Sequence, residues 1–153
     1  MSRIASRHPD DPRYPVVVGS ILLVESDPET CDLWATAISA AGHSVLSATA
    51  MREALPLIRD GGIDAVVIDA YDPRHGVIEL ARSIEALPDA PPIILVSGSP
   101  AAPEMSARIG AAAFLPKPCE PAELVALVNR LLGALRPVRA FEDEPTGPSR
   151  PLI

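Results

Sequence analysis

The run Ile63-Asp64-Ala65-Val66-Val67-Ile68, closed by Asp69, decides the fold. Its apolar residues are continuous rather than alternating, as in a strand covered on both faces. Reading outward, four more short runs have strand character: Ile21-Leu22-Leu23-Val24, Ser44-Val45-Leu46-Ser47, Ile93-Ile94-Leu95-Val96 and Ala112-Ala113-Phe114-Leu115. Helical patterns separate them. Asp27 suits an N-cap and Pro28 a first helical position, predicting a helix over 28–41 stopped by Gly42. A second helix is expected over 50–59, bent or shortened by Pro56. A third is expected over 76–87, and a short, Pro-interrupted one up to about residue 109. The last, over 121–135, carries Leu124, Leu127, Val128, Leu131, Leu132 and Leu135 on a broad apolar stripe. Strand and helix thus alternate five times. This predicts an α/β fold, a doubly wound five-stranded parallel sheet sandwich in a single domain, with right-handed crossovers.

Composition agrees and excludes other classes. The chain has 153 residues, 48% of them hydrophobic, enough for a core. A net charge of −7 argues against nucleic acid or an anionic membrane as the main partner. The N-terminal residues contain no apolar signal segment, and no stretch is long enough for a membrane helix, so a cytoplasmic protein is expected. Cys31 and Cys119 are read as ordinary thiols. Seven of 18 prolines fall in 1–19 and 136–153, among many charges. These ends are expected to be flexible tails around a folded unit at 20–135. The triplet Val16-Val17-Val18 is apolar enough to pack on something, an extended first strand or a partner.

In such sheets ligands sit beyond the carboxyl ends of the strands. Those ends carry Glu25-Ser26-Asp27, Asp69, Ser97-Gly98 and Lys117-Pro118. Crowded carboxylates repel unless a cation intervenes, and Mg²⁺ is commonly held by one or two carboxylates plus phosphate oxygens. A hydroxyl and an ammonium opposite suit the phosphate. Taken together, the strand ends point to phosphoryl transfer. Each residue alone has a plainer explanation: Asp69 as a turn former before Pro73, Glu25 and Asp27 as helix-start acids, Ser97 as a turn residue. Lys117 is the chain's only lysine among 13 basic residues, standing where a compact point charge fits better than a planar fork.

With these residues in place, 20–135 resembles a response regulator receiver domain of two-component signalling. The matching pieces are ILLVESDPE, VVIDAYDP, IILVSGS and GAAAFLPKP, in that order. The resemblance implies a receiver-like, flavodoxin-like sandwich. It implies that Asp69 accepts a phosphoryl group from a phosphohistidine, Ser97 contacts the phosphoryl oxygens, and Lys117 pairs with the phosphate before a cis bond to Pro118. It further implies that Phe114 is a rotamer switch and that Glu25, Asp27, Asp69 and the Tyr71 carbonyl are the candidate Mg²⁺ ligands.

The chain also departs from that pattern. Ser26 stands where the family has a second acid, so Mg²⁺ binding is expected to be weak and phosphorylation slow. The loop after Pro73 is one residue short, and the span from Ser97 to Lys117 is about two short. The fourth helix, part of the family's output face, is thereby reduced. Cys119 stands where an aromatic is common. His8, His43 and His75 are given no special role.

The implied function is a stand-alone phosphoacceptor, not an enzyme beyond self-catalysed phosphorylation and hydrolysis. No effector domain is expected in the 18 residues after Leu135. Its expected partner is a histidine kinase or histidine phosphotransfer protein, with a homodimer as a further assembly. The alternatives are a receiver-like interaction module with weak or no phosphorylation, and a flavin- or nucleotide-binding enzyme on the same kind of sheet. The enzyme reading wants a phosphate-binding loop after the first strand, where this chain has carboxylates.

Overall fold

The computed structural model describes residues 17–71 and 76–135. Five strands, β1 (Ser20–Glu25), β2 (Ser44–Ala48), β3 (Ala65–Asp69), β4 (Ile93–Ser97) and β5 (Ala113–Pro116), form one sheet in the order β2-β1-β3-β4-β5. Every pairing is parallel. Helices α1 (Pro28–Ala40), α2 (Met51–Arg59), α3 (Val77–Glu85), α4 (Ala102–Arg108) and α5 (Pro121–Leu135) connect the strands and close the chain.

The continuous apolar runs serve two cores at once, because successive strand side chains point to opposite faces. Leu22, Val24, Val66, Ile68 and Leu95 pack with Ala54 and Ile58 of α2 and Leu80 and Ile84 of α3. Their neighbours Ile21, Leu23, Val67 and Ile94 pack with Trp34 and Ile38 of α1 and Leu124, Val128 and Leu132 of α5. Burying each large aliphatic side chain contributes roughly 1.5–3 kcal/mol. The central strands β3 and β4 are buried throughout, whereas β2 and β5 lie at the edges and are partly exposed.

Element boundaries follow local chemistry. Asp27 caps α1 by accepting from the Thr30 N–H, Pro28 opens the helix, and Gly42 takes φ +101° just beyond it. The strand read over 63–68 is shifted: β3 begins at Ala65 and includes Asp69, while Ile63 packs on the core from the preceding loop. β2 gains Ala48, and β5 moves one residue on, to Pro116. Helix α3 is shorter than the 76–87 expected, starting after Gly76, whose φ is +82°. Helix α2 passes through Pro56 rather than ending there, leaving the Arg52 carbonyl without its helical donor. Pro103 does not interrupt α4. It lies in the first turn, where a missing N–H costs no helical bond, and α4 is seven residues long.

Contacts with the core begin before Ser20. Val17 packs against the α1–α5 cluster, and the Gly19 N–H donates to His43 Nδ1 at 3.1 Å. Val18 is exposed. The remainder of both terminal segments, Val16, His8, Pro73 and His75 lie outside the described residues. Both cysteines are free thiols. Among the described residues no helix is long and apolar enough to cross a membrane.

Candidate functional site

The strand order changes direction between β1 and β3, and there the connections on the two sides diverge and leave a crevice. Register fixes what faces it. Glu25 is the partner of Asp69 across the β1–β3 pair, while Ser97 closes β4 opposite Pro116. The Lys117 N–H donates to the Ser97 carbonyl, extending the β4–β5 ladder by one bond and setting the lysine beside the crevice. The Lys117–Pro118 peptide is cis, as the resemblance implied. The resulting cleft has a volume of about 540 Å³; its walls include Glu25, Ser26, Asp27, Asp69, Tyr71 and Lys117.

Asp69 is the centre of this arrangement. Its side chain is only 1% exposed, and both carboxylate oxygens have donors: Lys117 Nζ at 2.7 Å from Oδ1 and Trp34 Nε1 at 2.8 Å from Oδ2. The ammonium is the more accessible member of its pair, at 34% exposure. The Glu25 carboxyl is pushed up to about 7, first by burial and then by a hydrogen bond to Asp69, against the opposing N–H of Asp27 at 2.8 Å. Two carboxyl groups so close share either a proton or a cation.

Glu25 and Asp69 are therefore the pair whose chemistry fits a divalent ion, and Tyr71 lies on the same wall. Tyr71 is 96% exposed. Asp27 reaches the cleft, but its Oδ2 is engaged by the Thr30 N–H at 2.9 Å and hydroxyl at 2.7 Å, which holds its carboxyl below the usual range. Among the described residues no group of three or more His, Cys, Asp or Glu side chains forms a ready-made metal cage.

Ser97 is buried at the strand end, where its Oγ accepts from the Ser99 N–H at 3.1 Å. Gly98 and Ser99 form the adjoining wall, and a Cβ built on Gly98 would stand 3.3 Å from the Lys117 Cβ. Phe114 is half-buried against the α2–α3 side of the core, away from the cleft lining.

Two residues escaped the sequence reading. Trp34 sits on the buried stripe Cys31, Trp34, Ile38 of α1, which by spacing reads as core alone. Its signal was chemical: a buried indole N–H needs an acceptor, and this is the only tryptophan in the chain. His43, given no role, is 4% exposed and joins β1 to α5: its Nδ1 accepts from Gly19 while Nε2 pairs with Asn129 Oδ1 at 2.7 Å. Its partner lies 86 residues away, beyond any local pattern.

Comparison with known proteins adds three findings. The family model described as response regulator receiver domain matches residues 21–129. Response regulator MprA of Mycolicibacterium vanbaalenii is 34% identical over 119 residues, covering 76% of this chain and 52% of that protein. The chain thus spans about half the length of the curated relatives it matches. Among solved structures, the receiver domain of Francisella response regulator 1452 superposes with TM-score 0.68 at 25% identity, covering 76% of this chain and 98% of that one. The receiver domain of a signal transduction histidine kinase from Syntrophus aciditrophicus gives 0.68 at 27%, covering 77% and 92%.

Proposed function

The chain belongs to the response regulator receiver family, and from that premise we propose that Asp69 accepts a phosphoryl group from a phosphohistidine and that the protein signals through protein–protein contacts. The observation that carries this is the contact between Asp69 and Lys117, 2.7 Å apart at the cleft. An Asp69 oxygen attacks phosphorus, the N–P bond of the donor breaks with its electron pair going to the imidazole, and the carboxylate becomes an acyl phosphate. Lys117 follows the migrating negative charge outward, and its exposure leaves it room to do so. Because Asp69 is otherwise covered, the lysine's withdrawal precedes attack.

Mg²⁺, when bound, neutralises charge between the carboxylates and the phosphoryl oxygens. Glu25, Asp69 and the Tyr71 carbonyl would hold it, with Asp27 in support. Ser26 supplies no charge, so the ion is held weakly. Calorimetric titration of Mg²⁺ against wild type and Ser26→Asp tests this: tighter binding in the variant is expected, and equal affinities reject it.

The donor is a histidine kinase or histidine phosphotransfer protein in the cytoplasm. Neither nucleic acid nor membrane is a direct partner, and the only chemistry is self-catalysed phosphorylation and hydrolysis. Incubation with acetyl phosphate and Mg²⁺, read by intact mass, gives a gain of one phosphoryl group that Asp69→Asn abolishes. No gain in wild type, with acetyl phosphate or a cognate kinase, favours the second reading, an interaction module with weak or no phosphorylation. The near-complete cover of Asp69 speaks for that alternative. The stand-alone mode is part of the proposal. A mass of about 16.1 kDa for the protein isolated from its own cells supports it, and a mass near that of the longer relatives rejects it.

A further inference from the structure

Among the described residues two nitrogen donors reach Asp69, and of these only Lys117 belongs to the strand-end pattern. The other is the Trp34 indole, 4% exposed, whose N–H donates to Oδ2 at 2.8 Å. We infer that Trp34 sets the lifetime of the phosphorylated state, its N–H favouring the free carboxylate of Asp69 over the acyl phosphate. The inference rests on Asp69 being the phosphoacceptor and deepens that reading.

The two donors fare differently once the phosphoryl group has been transferred. A hydrogen bond to a charged oxygen is roughly twice as strong as one to a neutral oxygen. Phosphorylation on Oδ1 turns Oδ2 into the carbonyl oxygen of an acyl phosphate and moves the negative charge onto the phosphoryl group. Lys117, at the accessible rim, can follow that charge. Trp34 cannot. It is packed among Cys31, Ile38 and the β1–β3 side chains, and its donor keeps the same direction while its acceptor loses charge. An indole has one N–H and no acceptor, so it has nothing else to offer the new group.

The same bond therefore opposes transfer and assists hydrolysis. In hydrolysis, water forms the new O–P bond, the Oδ1–P bond breaks, and its electron pair returns to the carboxylate while water's proton leaves with the phosphate. Returning charge on the carboxylate strengthens the Trp34 bond in the transition state.

The test uses the full chain, phosphorylated with acetyl phosphate and Mg²⁺ and then freed of the donor. Trp34→Phe keeps the ring and deletes the N–H. Its phosphorylated form is expected to persist roughly three- to tenfold longer than wild type, with a higher steady-state level. Trp34→Leu should lengthen the lifetime by a similar factor while lowering the urea midpoint further. An unchanged lifetime in Trp34→Phe alongside a changed one in Trp34→Leu makes the effect packing and overturns the inference. A second readout needs no variant at position 34. The single indole ¹H–¹⁵N resonance should move on phosphorylation and in Asp69→Asn, and a resonance that moves in neither overturns the inference. A wild type that gains no mass overturns the underlying reading instead, and is recognised by that result alone.

Discussion

The sheet carries a buried polar cluster at each end, and the two are built on opposite terms. At the amino end, His43 links Gly19 and Asn129, and Asp64 Oδ2 accepts from the Ser20 N–H at 2.8 Å. His43 Nδ1, Asn129 Oδ1 and Asp64 Oδ2 each have a partner there, at the amino edge of the sheet. At the carboxyl end, Glu25 and Asp69 face one ammonium, the Trp34 indole N–H and the Asp27 N–H beside an open cleft. Two carboxyl groups stand against one cation, and charge is left for something else to satisfy. A balanced cluster holds a fold together, whereas an unbalanced one at a strand switch point is able to take up a ligand.

Substitutions at the two ends should separate along that line. The largest effect belongs to Asp69→Asn, which abolishes phosphoryl uptake with little loss of stability, because it relieves the carboxylate pair; intact mass and urea unfolding measure the two. His43→Ala should do the reverse. Removing a buried ring that satisfies Gly19 and Asn129 costs about 2–4 kcal/mol in urea unfolding, while the folded fraction still takes up phosphoryl.

A smaller effect is visible in pH. The Glu25 carboxyl is raised from 4.5 to about 7, so the folded protein binds more protons than the unfolded one between those values. Stability therefore falls as pH rises through that window in metal-free buffer, by on the order of 2 kcal/mol, and Glu25→Gln should flatten the slope. The smallest effect lies outside both clusters. Glu53 Oε1 accepts from the Thr49 N–H and hydroxyl at the start of α2, which holds its carboxyl below 4.5. Its contribution is present above that value and lost as pH falls through the lowered one. Glu53→Gln should therefore lower the urea midpoint slightly at neutral pH and not below the lowered value.

Legibility in the sequence followed the same division. The five strands, their parallel pairing and the approach of Glu25, Asp69 and Lys117 to one cleft could be read because each is a local run with a residue at a fixed offset, whereas Ser97 closes its strand without lining that cleft. Position within the site was less readable: Ser97 is turned into a backbone contact with Ser99, and Asp27 is committed to its cap. What stayed hidden depended on distance. Trp34 and Asp69 are 35 residues apart, and His43 and Asn129 are 86 apart. Trp34 was not singled out at all, and helical spacing would not have said which way its one polar atom points. One proline misled in the other direction: Pro103 read as an interruption yet sits in the first turn of its helix, while the helix through Pro56 runs close to its expected bounds.

Gly98 gives the cleft an uncharged point of adjustment. With only a hydrogen where other residues carry carbon, it leaves clearance at the root of Lys117, and a methyl group there would stand 3.3 Å from the lysine Cβ. Drift at position 98 would thus alter how freely the ammonium swings without adding or removing any charge. Such a change would act sterically, and added salt would neither mask nor mimic it.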